Sequence, residues 1–172
     1  FGSTGEPWND EPYLWLLNDV GAGRAPIVNI SGGTEVGACF LSCDVTLPMK
    51  PSSLGRPSLG MAVDVWDESG APIREERGEL VCTKPWPGMT RSIWGDNDRF
   101  IESYWSRWPD VWTHGDWATV DADGEWFLHG RSDDTLNIAG KRIGPAELES
   151  AAVAHPAIVE AAAIGVPHDV KG

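Results

Sequence analysis

Ser31, Gly32, Gly33, Thr34 and Glu35 stand in a row directly behind the β-rich stretch Pro26, Ile27, Val28, Asn29 and Ile30. A strand that runs into such a loop suits an anionic ligand. Paired glycines let the backbone approach a phosphate closely, the Thr34 hydroxyl can donate to it, and the Glu35 carboxylate can face magnesium, a hard cation that takes oxygen ligands and keeps several waters. Taken alone, the five residues are more simply a plain turn. Asp116 lies in the run Thr113, His114, Gly115, Asp116. A carboxylate there can accept two hydrogen bonds from a ribose diol, or merely cap the turn, and His114 reads as its packed neighbour rather than as a catalytic base. Arg131 follows fifteen residues later. Its guanidinium fork can hold the same ribose or a phosphate, or form an ion pair with Asp133 or Asp134. Gly140, Lys141 and Arg142 combine a flexible residue with two cations, as a loop touching an anion requires and as an exposed hairpin tip also does.

Composition narrows what these residues serve. The chain has 172 residues, 41% of them hydrophobic, and a formal charge of −13. That charge argues against nonspecific binding to nucleic acid or to an anionic membrane surface. Ten tryptophans make aromatic packing central. Cys39, Cys43 and Cys82 include no CxxC pair and form no zinc-binding spacing, so buried reduced thiols are expected. With no signal-peptide pattern and no apolar run of membrane-spanning length, a cytoplasmic address is the default expectation. Phe1 to Pro7 reads as a strand entering a turn without an initiator Met, and 166–172 stops just after another strand, so a segment of a longer polypeptide is expected.

The elements that must position the chemistry fall into three regions. Residues 1–37 read as the end of an α/β subdomain, with an amphipathic helix from Glu11 to Val20 and the strand at 26–30. Residues 38–131 lose the helical period. Strand candidates at 61–66, 78–82 and 125–128, with hairpin signals at Asp67 to Gly70 and Asp121 to Gly124, predict a small, distorted β-barrel-like unit carrying one helix near 98–105. Residues 132–172 read as a hinge and the start of a C-terminal α/β domain, with a proline-started helix behind Gly144 and an alanine-rich strand over 158–166. The predicted class is mixed α/β and α+β.

In order, Gly5-Glu6-Pro7, Gly33-Thr34-Glu35, Gly115-Asp116, Gly130-Arg131-Ser132-Asp133-Asp134 and Asn137-Ile138-Ala139-Gly140-Lys141-Arg142-Ile143 resemble the motifs of the adenylate-forming acyl-CoA synthetases, nearest the acetyl-CoA synthetase-like branch. The resemblance covers essentially the whole chain, and its last motif, followed by Pro145-Ala146-Glu147-Leu148-Glu149, is the most specific. It implies an ATP-dependent ligase that joins a carboxylic acid to AMP with release of pyrophosphate and passes the acyl group to coenzyme A. By the same resemblance, Gly5, Glu6 and Pro7 line the adenine side, while Gly33 and Thr34 meet phosphate. Glu35 binds Mg2+, and Asp116 and Arg131 hold the ribose. Asp133 becomes the pivot of a mobile C-terminal domain, Gly140 lines the pantetheine tunnel, and Arg142 lies near the nucleotide phosphate.

At Gly32 the chain departs from acetate-using members, which carry a tryptophan there that closes the acid pocket. The expectation is a deeper pocket and an acid larger than acetate. The family's phosphate loop and its adenylating lysine are not matched in this chain, and Lys171 does not fit the lysine's context. The chain by itself is therefore expected to be inactive and to depend on the rest of a parent polypeptide. Two other outcomes fit the same motifs: an adenylating ligase that delivers acyl groups to a carrier protein, and a noncatalytic nucleotide-binding module.

Overall fold

The computed structural model describes residues 1–138 and 141–166, the side chains at 137, 138, 141 and 142 excepted. Strand β1 (Gly2–Ser3) runs parallel to β2 (Val28–Gly33), and β2 continues antiparallel to β3 (Ala38–Ser42) and then β4 (Arg56–Pro57). Between β1 and β2 lies helix α1 (Asp10–Trp15), which widens into a π-helical turn over Leu16–Val20 and stops at Gly21. Gly21 is required there because a Cβ would lie 2.7 Å from the Leu17 carbonyl oxygen.

The second sheet is an antiparallel meander of β5 (Val63–Trp66), β6 (Gly78–Cys82), β7 (Trp112–Val120) and β8 (Trp126–Arg131). Both hairpin signals turn the chain as expected. Asp67 leads the turn before the Trp66–Pro72 bridge, and Asp121 caps the β7–β8 turn by accepting from Asp123 and Glu125 backbone N–H groups. Helix α2 (Asn97–Trp105) enters between β6 and β7, capped by Asp96, whose carboxylate accepts from the Arg99 N–H at 3.1 Å. A ribbon of β9 (Leu136–Ile138) and β10 (Lys141–Ile143) precedes helix α3 (Pro145–Val153), which starts on Pro145 where a missing N–H costs nothing.

Two sequence expectations change. Mixed α/β architecture is present, but among the described residues neither four-stranded sheet closes into a barrel, since β5 and β8 are the two ends of their sheet. The strand expected over 158–166 is absent: these residues are irregular, and Val159, Ile164 and Val166 are exposed. Apolar composition does not make a strand without a partner ladder, and the described polar anchors are the Ile158 N–H donating to the His155 carbonyl at 2.9 Å and the Ala163 N–H donating to Glu149 Oε1 at 2.8 Å.

The core lies between α2 and the two sheets, and the tryptophans dominate it. Trp112 is fully buried, stacked on Tyr104 at 4.2 Å and met edge-on by Trp86 and Trp105. Trp86 Nε1 donates to the Val36 carbonyl at 2.7 Å, and the Thr90 N–H reaches the Glu35 carbonyl. Gly37, at φ +61°, has no room for a Cβ against the Gly88 oxygen. This packing of two loops fixes the turn that carries Thr34 and Glu35.

Candidate nucleotide site

One cavity of about 800 Å³ brings together half of the sequence-predicted site residues. Gly5, Glu6 and Pro7 line it from the turn behind β1, Gly32 from β2, Asp116 from β7 and Arg131 from β8. Pro145, Ala146 and Glu149 of α3 close one side. Gly130 permits that approach: it sits at φ +93°, and a Cβ there would stand 3.1 Å from the Ala146 methyl.

A β-bulge aims Asp116. Across β6 and β7, Glu79 pairs with Trp117 while Val81 pairs with Thr113, so residues 114–116 bulge out of the ladder. Gly115 adopts φ +85°, and a Cβ on it would fall 2.7 Å from Arg131 Nη2. Only glycine accommodates both the backbone turn and the neighbouring guanidinium. Asp116 is consequently buried, 3.4 Å from Arg131 Nη1. The Arg131 fork is engaged chiefly by Asp133: Nε donates to Oδ1 at 2.8 Å, and Nη2 donates to Oδ2. The ion pair foreseen as the alternative role of Arg131 thus exists, with Asp133 as its main partner. Hydrogen bonding to Asp133 raises the Arg131 pKa above its already high value.

Burial pushes the Asp116 carboxyl up to about 6, with Arg131 opposing the shift and Asp133 and Glu79 adding to it. An unfolded aspartate titrates near 3.8, so between those two values the folded chain holds a proton that the unfolded chain releases. Stability associated with the neutral form is fully present below about pH 4 and is lost as pH rises through about 6. Asp116→Asn, isosteric with the protonated acid, should therefore raise Tm relative to wild type at pH 8 and leave it unchanged near pH 4. A thermal-melt series across that range checks the sign, and a gain confined to acid pH would contradict it.

His114 lines the same cavity and is buried, 3.8 Å from Glu35 Oε1 on one side and 3.8 Å from Asp116 Oδ2 on the other. Burial pushes its imidazole down to about 4 despite the pull of Glu35. It is neutral at pH 7, so these contacts are polar packing rather than ion pairs. Its ring also meets Phe40 edge-on at 4.8 Å, in keeping with the packed role expected from sequence.

Gly33, Thr34, Glu35 and Asp133 are not among the cavity-lining residues. Glu35 nevertheless reaches the site's edge through His114, its carboxylate folded back over Gly33, where a Cβ would lie 2.5 Å from Glu35 Oε1. Among the described residues no group of three or more His, Cys, Asp or Glu side chains is arranged to hold a metal. A single carboxylate fits magnesium, which is commonly bound by one or two carboxylates, waters and substrate phosphates. Gly140 lies outside the described residues. Arg142 pairs with Asn137 across the β9–β10 ribbon, and its side chain lies outside the description.

Gly32 carries a correction. Its missing side chain does not simply leave a hole, because a Cβ would lie 2.4 Å from the Ala38 carbonyl oxygen and 3.0 Å from the Cys39 Cα. The β2–β3 register shift between Ser31 and Gly32 brings the two backbones that close. Restoring tryptophan would force β3 to move rather than refill the pocket. Even Gly32→Ala should destabilise by about 1–3 kcal/mol through overpacking, read as a lower Tm; an unchanged Tm would contradict the close approach.

Sequence reasoning missed Glu79, Lys50 and His129. Lys50 and His129 line the cavity. Lys50 Nζ is held by Asp121 at 2.6 Å and by Asp123, and His129 Nε2 shares a 2.7 Å hydrogen bond with Thr119 Oγ1. Glu79 was readable as an acid inside an apolar strand, since Leu80, Val81 and Cys82 follow it directly.

Comparison with known proteins shows what the chain as a whole is similar to. Residues 147–172 match the AMP-binding enzyme C-terminal domain. The chain is 43% identical to the acetyl-coenzyme A synthetase of Syntrophus aciditrophicus (strain SB), an alignment that covers 99% of this chain and 27% of that protein. It is 44% identical to the acetyl-coenzyme A synthetase of Pyrobaculum arsenaticum (strain DSM 13514 / JCM 11321 / PZ6), covering 99% of the chain and 26% of the relative. Among solved structures, acetoacetyl-CoA synthetase from Streptomyces lividans matches with a TM-score of 0.80 and 41% identity, over 92% of this chain and 25% of that one. The chain is acyl-CoA synthetase-like over nearly its whole length, and it spans about a quarter of the length of the curated relatives it matches. Among the described residues no helix is long and apolar enough to cross a membrane.

Proposed function

We propose that the chain works within an ATP-dependent acid–CoA ligase of the AMP-forming type, as its nucleotide-binding edge and hinge. The observation that carries this is the convergence of Gly5, Glu6, Pro7, Asp116 and Arg131 on one cavity from three separate parts of the sequence. In this reading residues 1–37 and 38–131 belong to the large domain, and 132–172 open the mobile one. The cavity takes adenosine, with adenine against Gly5 to Pro7 and the ribose diol on the Asp116 carboxylate and Arg131. Gly33 and Thr34 face the phosphates. Glu35 holds magnesium, which would supply positive charge against the phosphate oxygens.

The chemistry then has two displacements. A carboxylate oxygen of the acid attacks the α-phosphorus of ATP, the bond to the bridging oxygen breaks, and pyrophosphate leaves. The thiol sulfur of coenzyme A next attacks the acyl carbonyl carbon, losing its proton, and AMP leaves with the former carboxylate oxygen. Each displacement calls for different groups around one carbonyl, which a pivot at Asp133 provides by bringing Gly140 and Arg142 to the site in turn.

The acid is larger than acetate: one structural relative is an acetoacetyl-CoA synthetase, named for a longer acyl group. A panel of acetate, acetoacetate, branched and aromatic acids, given with ATP and coenzyme A to the full-length protein, tests both statements. Preferred turnover of a longer acid is the expected result. Preference for acetate would remove the size assignment, and no acid-dependent AMP release would remove the ligase reading.

A further inference from the structure

Glu79 is a buried carboxylate that the proposed reaction does not use. It lies on β6, where all five residues are buried, and it is 0% exposed. A well-packed apolar residue of similar size is often neutral or stabilising at such a place, so a buried acid calls for a reason. Its partners supply one. Oε1 accepts from Ser132 Oγ at 2.6 Å, Oε2 accepts from Arg107 Nη1, and the Gly115 backbone N–H also bonds the carboxylate. Ser132 in turn donates its own backbone N–H to the Gly115 carbonyl at 2.8 Å.

One carboxylate therefore grips the Gly115 backbone N–H and the Ser132 side-chain hydroxyl together. Gly115 directly precedes Asp116, and Ser132 directly separates Arg131 from Asp133. Arg107, held against the Trp108 ring at 4.4 Å, neutralises the carboxylate from the loop after α2. The arrangement ties the bulge of β7 and the residue just after β8 to β6, immediately before the pivot.

We propose that Glu79 is a positioning residue that fixes the stationary edge of the hinge: through Ser132 Oγ and the Gly115 N–H it stops rotation from spreading back from Asp133 into the ribose site. This rests on the ligase reading above. A fixed edge makes the pivot sharp, so that Asp116 and Arg131 keep their places while the C-terminal domain changes orientation. Loss of the clamp penalises the step that follows rotation more than the step before it.

The test uses the full-length protein and reads acid-dependent pyrophosphate exchange and coenzyme A-dependent thioester formation separately. Ser132→Ala removes one bond with little effect on burial, Ser132→Thr keeps the hydroxyl, and Glu79→Gln keeps the shape but loses the charge. Expected results are a roughly tenfold fall in thioester formation for Ser132→Ala with less than about a threefold change in exchange, recovery in Ser132→Thr, and a double Glu79→Gln/Ser132→Ala variant no worse than the poorer single one. Equal losses in the two half-reactions, additive losses in the double variant, or an unaffected Ser132→Ala overturn the inference while leaving the ligase reading intact. Absence of acid-dependent exchange in the wild-type protein overturns the ligase reading and this inference with it.

Discussion

Asp116→Ala in the full-length protein should weaken the dependence of rate on ATP by roughly 10²-fold, as expected when two charge-assisted hydrogen bonds of about 1.5–3 kcal/mol each are lost and part of that is regained by not burying a charge. The fold should survive, because Asp116 is not part of the main apolar cluster and its removal relieves a destabilising ionisation at neutral pH. Arg131 remains oriented in the variant, since Asp133 grips its guanidinium from the other side. The loss therefore belongs to the missing ribose acceptor rather than to a collapsed arginine. Initial rates over an ATP series check this. An ATP dependence equal to that of the wild type would contradict the ribose role.

Asp133→Pro should separate the two half-reactions by a comparable factor. Proline fixes φ near −65° and restricts the preceding residue, so the torsions that a pivot must change are no longer available. Thioester formation should fall by about 10² or more while acid-dependent pyrophosphate exchange changes by less than about tenfold. The structure adds a control that sequence alone did not suggest. Because Asp133 is bound by Arg131 through two nitrogens, proline removes that ion pair as well as the torsional freedom. Asp133→Ala removes only the pair. If alanine reproduces the whole split, the ion pair rather than the pivot controls the second step; if alanine is mild and proline severe, the pivot does.

The pairing of Asp133 with Arg131 also links the proposed nucleotide site to the proposed hinge. A ribose hydroxyl that bonds Arg131 competes for donors now given to Asp133, and every bond released there loosens the pivot's hold on the large domain. The distance of 3.4 Å between Arg131 and Asp116 leaves that side of the fork weakly engaged and open to such an exchange.

Much of the fold was legible because its signals are local. The turn at Asp121 to Gly124 and Pro145 at the start of α3 each act within a few residues, and each lies where the sequence puts it. The strand at 78–82 was found to the residue. The apolar run at 158–166 misled because alanine and valine report burial only when something lies beside them. Barrel closure, likewise, depends on which distant strands pair, and no single strand's pattern encodes that.

The site was legible as residue types and not as geometry. Glycine before aspartate signalled a special backbone, and Gly115 does adopt a positive φ in a bulge. That Asp133 holds Arg131, that His114 sits neutral between Glu35 and Asp116, and that Gly32 is pressed against β3 all depend on contacts between segments. Glu79 escaped notice for the same reason. Its three partners lie on three other parts of the chain, and only in the folded structure do they meet on one carboxylate.

Calorimetric titration of a nonhydrolysable acyl-AMP mimic into the full-length protein and into its Asp116→Ala variant tests the central claim most directly. One-site binding by the wild type, weakened about 10²-fold in the variant, is the predicted result. Equal affinity in the two proteins, or no binding to a folded wild type, would contradict the assignment of this cavity to the nucleotide.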